Sequence, residues 1–122
     1  MTRKFLAAAL LATSLAAVGA AQPLAANAEI AHLLDFVSQS ACRFSRNGSW
    51  HGMAEARDHM ALKYDYLAQR GKAGSAEEFI DNAASRSSLT GKDYLVECPG
   101  SAAVPSAGWL RAELERFRRS RK

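Results

Sequence analysis

His59 and Lys63 stand four residues apart, so a helix through them sets an imidazole beside an ammonium on one face. That pair suits a general base next to a cation, or a ligand clamp. It is equally an exposed helical pair, with Glu55 supporting His59 at i,i+4 spacing. A second candidate is Ser87-Ser88-Leu89-Thr90-Gly91-Lys92, whose hydroxyls, backbone N–H groups and terminal ammonium can hold an anionic group. It lacks the upstream glycines and preceding strand of a P-loop, so it is no nucleotide motif. As ordinary chain chemistry it is a polar turn leading into a strand. A third candidate is Arg46-Asn47, where a turn-forming residue and an exposed charge coincide as in a recognition loop. Glu77, Glu78 and Asp81 hint at a cation site, but acids also gather in the first turn of any helix. His32 and His51 show no partner. No cofactor fingerprint, metal-ligand cluster or triad spacing occurs, and no cofactor is expected.

The elements that must position these residues are legible from periodicity. Ile30, Leu33, Leu34 and Val37 recur at helical spacing and predict a first helix over 29–40. Asn47-Gly48 between Cys42–Arg46 and Ser49–His51 predicts a hairpin, because a type I′ turn needs positive φ at both central residues. Met53, Ala56, Met60, Tyr64 and Leu67 form one stripe of a second helix running to about Gln69 and closed by Gly71. Ser75-Ala76-Glu77-Glu78 is a capping box opening a third helix, with Phe79, Ile80, Ala83 and Ala84 on its core face. Tyr94–Cys98 reads as a strand stopped by Pro99-Gly100. A Ser/Ala/Pro loop then leads to a last helix bearing Trp109, Leu110, Leu114 and Phe117.

The first 28 residues stand apart. Arg3 and Lys4 precede apolar runs from Phe5 to Ala12 and from Leu15 to Ala21, and Ala26-Asn27-Ala28 offers small residues for a signal peptidase. The expectation is cleavage after Ala28, with Val18-Gly19-Ala20 the weaker site, giving a periplasmic or secreted protein without a transmembrane segment after cleavage. Residues 29–122 then form a single domain, with a basic tail at 116–122. The whole chain carries 16 Lys+Arg against 12 Asp+Glu. The excess lies in the leader and the tail, which removes most of the case for binding nucleic acid. Cys42 and Cys98 admit one internal pairing and, in an oxidising compartment, predict a disulfide. Cys42 begins the first strand and Cys98 ends the last, so if these strands are neighbours they run antiparallel. The expected fold class is α+β, of order α-β-β-α-α-β-α, with helices on a small three-stranded antiparallel sheet.

Phe44–Gly48, Ala76–Asp81 and Ala84–Val96 together resemble the YfeK-like family of small exported bacterial proteins of unknown function. Trp109-Leu110 is a weaker match. Asp93 stands where that family suggests proline, and Ser75 where threonine is usual. The resemblance implies an exported α+β domain and assigns no catalytic residue.

These readings converge on a non-enzymatic binding module for a protein or anionic ligand of the cell envelope. Its candidate surface joins Arg46 and Asn47, the turn residues Ser87, Ser88, Thr90 and Lys92, and the His59/Lys63 edge. Antiparallel pairing of the first and last strands puts the two turns at one end of the sheet and the cysteines at the other. The alternative is a small hydrolase or transferase with His59 as base and Ser87, Ser88 or Thr90 as nucleophile.

Overall fold

The computed structural model describes the fold from residue 24 to residue 122. The expected leader ahead of Leu24 lies outside it. Helix α1 spans Leu24–Gln39 and so begins five residues ahead of the expected start. Its first turn includes Ala26, which is buried, as are Ile30, Leu33, Leu34 and Val37 downstream. The chain reverses through Ala41 (φ +58°) into β1, Arg43–Arg46.

The hairpin forms where Asn-Gly places it. Asn47 (φ +52°) and Gly48 (φ +82°) both occupy the left-handed region and join β1 to β2, Ser49–His51. Helix α2 runs Met53–Ala68. It ends as Gly71 takes φ +68° and the Lys72 N–H returns to the Leu67 carbonyl at 2.9 Å. Helix α3 is Ala76–Ala83, with Ser75 Oγ accepting from the Glu78 N–H at 3.1 Å. Glu78 returns not to Ser75 but to the Gly74 N–H, at 2.7 Å. Next come β3, Leu95–Glu97, and β4, Val104–Pro105, followed by α4, Ser106–Ser120.

The sheet is antiparallel throughout, in the order β2-β1-β3-β4. It has four strands rather than three: part of the stretch read as a loop pairs Val104 with Val96 and Pro105 with Leu95. Proline is tolerated there because β4 is an edge strand. The outer strands flank β1 and β3, which pair Arg43 with Glu97, Phe44 with Val96 and Ser45 with Leu95. The same register sets Cys42 opposite Cys98, and the two form a disulfide. Their Cα atoms are 4.1 Å apart, near the closer of the two antiparallel pair spacings.

The helices pack with β1 and β3 around one core. Phe79, Ile80, Leu33, Val37, Leu110 and Val96 are fully buried, and Trp109 stacks on Phe36 with its ring edge against Phe44. The stretch expected as a basic tail is helical to Ser120, and two of its cations bind carboxylates elsewhere in the fold. Arg116 binds Glu113. Arg118 reaches both Glu29 of α1 and Glu77 in the first turn of α3, at 2.6 Å each.

Candidate functional site

The chemistry-bearing side chains gather where α2 crosses the chain between α3 and β3. His59 and Lys63, one turn apart on α2, both point at Tyr94, whose ring is buried just ahead of β3. Lys63 Nζ donates to the Arg86 carbonyl at 3.0 Å and to the Tyr94 hydroxyl at 3.2 Å, and it lies 5.1 Å from the centre of the Tyr94 ring. An ammonium has no acceptor, so the Tyr94 oxygen accepts from Lys63. The phenolic proton is then free for His59 Nε2, 3.3 Å away, which assigns the imidazole proton to Nδ1.

Arg46, at the end of β1, lines a small cleft with Phe44, Ser45, His59, Met60 and Tyr94. The cleft has room for about 20 Å³, the scale of one water. Its electrostatics oppose positive charge. Burial first, then the Arg46, Lys63 and His51 charges, hold His59 below its usual imidazole range. Burial, followed by Arg46, also holds Lys63 below the ordinary ammonium value. Burial pushes the Tyr94 hydroxyl up, against the opposing pull of Arg46, so Tyr94 keeps its proton.

The two turns meet at the same end of the sheet, away from the disulfide. Thr90 Oγ1 donates to Asn47 Oδ1 at 2.6 Å across 43 residues of sequence, and Lys92 and Thr90 are solvent-exposed beside it. The segment between Ser85 and Tyr94 folds back on itself. Ser87 N–H donates to the Lys92 carbonyl, Gly91 N–H to Ser87, and Tyr94 N–H to Ser85.

Several expected roles change. Ser87 is not a surface residue: its hydroxyl is buried and accepts from the Leu89 and Thr90 N–H groups, so it shapes the turn. His59 is hydrogen-bonded to Tyr94 rather than to a Ser87, Ser88 or Thr90 hydroxyl, because Ser87 and Thr90 are committed within the turns. Ser88 is exposed and borders a shallow groove with Leu62, Lys63 and Tyr66. Glu55 accepts from His51 Nδ1 at 2.9 Å rather than supporting His59. Nor is His32 without a partner. It bonds Glu113 at 3.0 Å and stacks on Phe117, and a hydrogen bond from Arg116, ahead of that from His32, holds the Glu113 carboxyl low despite its burial. Tyr94 is the site residue that sequence reasoning missed. It reads there as an ordinary strand residue, and nothing local marks a tyrosine 31 and 35 positions from its partners.

A family model described as "Family of unknown function (DUF5329)" matches residues 24–118, which include every element just described except the end of α4. The chain belongs to this family. The chain is also similar to the uncharacterised protein YfeK of Salmonella typhimurium (strain LT2), with 47% identity over 51 residues, or 42% of this chain. The matched stretch spans 41% of that protein's length. No solved structure matches. Membership supports the YfeK-like resemblance without assigning any residue a role. No helix among the described residues is long and apolar enough to cross a membrane.

Proposed function

We propose that this protein is an exported, non-enzymatic binding module that engages a protein or anionic ligand in the periplasm or outside the cell. The observation that carries this reading is the Thr90–Asn47 hydrogen bond. It ties a hairpin tip to a turn from the far half of the chain, at the end of the sheet where Arg46 and Lys92 stand. Surface turns held on a rigid scaffold are where binding residues concentrate. Export is supported by Arg3 and Lys4 ahead of the apolar runs and by Ala26-Asn27-Ala28. The Cys42–Cys98 bond suits an oxidising compartment.

The test is capture from cell-envelope extract on the immobilised, disulfide-intact protein, compared with a double Arg46→Ala, Lys92→Ala variant. Both substitutions leave the core alone, so the thermal midpoint should stay nearly unchanged. The expected result is a bound species held by the wild-type protein and lost from the variant. An identical bound set on both proteins would reduce the two turns to turn chemistry.

A further inference from the structure

We propose that the outward face of α2 docks a second copy of this chain, packed antiparallel across a two-fold axis. The proposal goes beyond the binding reading above and does not rest on it.

The three most exposed large apolar side chains among the described residues are Leu89 (93%), Leu62 (69%) and Tyr66 (57%). Apolar residues exposed singly over a surface need no explanation. These three are gathered. Leu62 and Tyr66, one turn apart on α2, line a groove of about 430 Å³ with Lys63, Leu67 and Ser88, the neighbour of Leu89. By contrast, Trp50 is already covered by the Arg43 guanidinium, 4.2 Å from the centre of its ring.

The charges beside the groove select what covers it. Asp58, Leu62, Tyr66 and Arg70 recur at i,i+4 spacing, form one row, and are all exposed. Arg70 follows the last turn of α2 and joins the row by stacking on Tyr66, 3.5 Å from the ring centre. The row is its own complement when reversed, since acid, aliphatic, aromatic, base then meets base, aromatic, aliphatic, acid. A second copy crossing antiparallel near residue 64 sets Leu62 beside Tyr66 of that copy and Asp58 beside its Arg70. Each contact then occurs twice, as a closed isologous interface requires. Within the chain, the Asp58 carboxylate meets Arg57, its neighbour in sequence, at 3.3 Å. The helix dipole accounts for a base at position 70 but not for two apolar side chains left in water between the charges. Asp65 and Gln69, exposed on one flank of the row, stay in the solvated rim. One helix face is small beside the interfaces of stable complexes, so this dimer is weak and depends on concentration.

Sedimentation velocity of the disulfide-intact protein, loaded from about 10 μM to about 1 mM, tests this. The expected result is a monomer–dimer equilibrium that Leu62→Glu weakens by about tenfold or more. Asp58→Arg and Arg70→Asp each put like charges across the two-fold, so each alone should weaken the dimer by about fivefold or more. Mixed in equal amounts, those two variants regain an attractive pair at both ends, and the mixture should associate to within about twofold of wild type. All three substitutions sit at exposed positions, so thermal midpoints should stay nearly unchanged. A monomer at every loading would overturn the proposal and leave the face to a partner of another kind. A dimer indifferent to Leu62→Glu, or a mixture no tighter than its separate components, would overturn it as well.

Discussion

Protonation of the His59 imidazole is opposed by burial first, then by the charges of Arg46, Lys63 and His51. Tyr94 occupies its Nε2. In the unfolded chain the imidazole takes its proton near its ordinary value of 6.5. In the fold it does so only at lower pH, so between the two values the unfolded state holds more protons and stability rises with pH. Stability is therefore lost as pH falls below about 6.5, until the folded imidazole is itself protonated. The carboxyl of Glu113 behaves in the other sense. Held low chiefly by its bond from Arg116, it contributes stability above 4.5 that disappears as pH falls through its depressed value, a window below that of His59. His59→Gln keeps a partner for Tyr94 but cannot titrate. We predict a flatter fall in thermal midpoint between pH 7.5 and pH 5.5 for this variant, with His32 and His51 common to both proteins. Equal slopes would mean that His59 is not held neutral by its surroundings.

At the scale of elements, the hairpin depends on two separable properties of Asn47. Its φ of +52° favours Asn or Gly over other residues, and its side chain receives the Thr90 hydroxyl. Asn47→Gly retains the turn and loses only the hydrogen bond, at a cost of about 0.5–1.5 kcal/mol. Asn47→Ala loses both and adds about 1–2 kcal/mol of backbone strain. Denaturant unfolding should rank wild type above Asn47→Gly and Asn47→Ala lowest; equal variants would show the turn indifferent to φ. This hairpin was legible because positive φ at two successive residues is a local demand with a local solution. So were the apolar stripe of α2 and the Ser75 cap. Strand β4 was not, since two residues ending in proline carry no period, and their pairing with Leu95 and Val96 arises only once β3 is in place. The disulfide implied that β1 and β3 are neighbours, and from that the meeting of Asn47 and Thr90 followed. The contacts of Tyr94, His32 and Glu113 depend on how α2 and α4 lie over the rest of the chain, which spacing along the sequence does not encode.

The whole molecule is held at two levels that differ in strength. The Cys42–Cys98 bond closes a loop of 56 residues that contains α2 and α3, while α1 and α4 lie outside it. Those two helices are joined instead by side chains. Arg118 bridges Glu29 and Glu77, and its hydrogen bond holds Glu77 below the usual carboxylate range. His32 meets Glu113 in the same interface. Constraining a loop of that length in the unfolded chain is worth about 4 kcal/mol on the chain-entropy model. An exposed ion pair contributes about 0–1 kcal/mol. Replacing both cysteines by alanine should therefore lower unfolding stability by about 2–5 kcal/mol. Arg118→Gln should cost much less, with its effect concentrated in faster amide exchange at the start of α1 and the end of α4. The order of the two losses is the decisive measurement. If Arg118→Gln proved the more damaging, the junction of α1, α3 and α4 rather than the covalent loop would be what holds this small fold together.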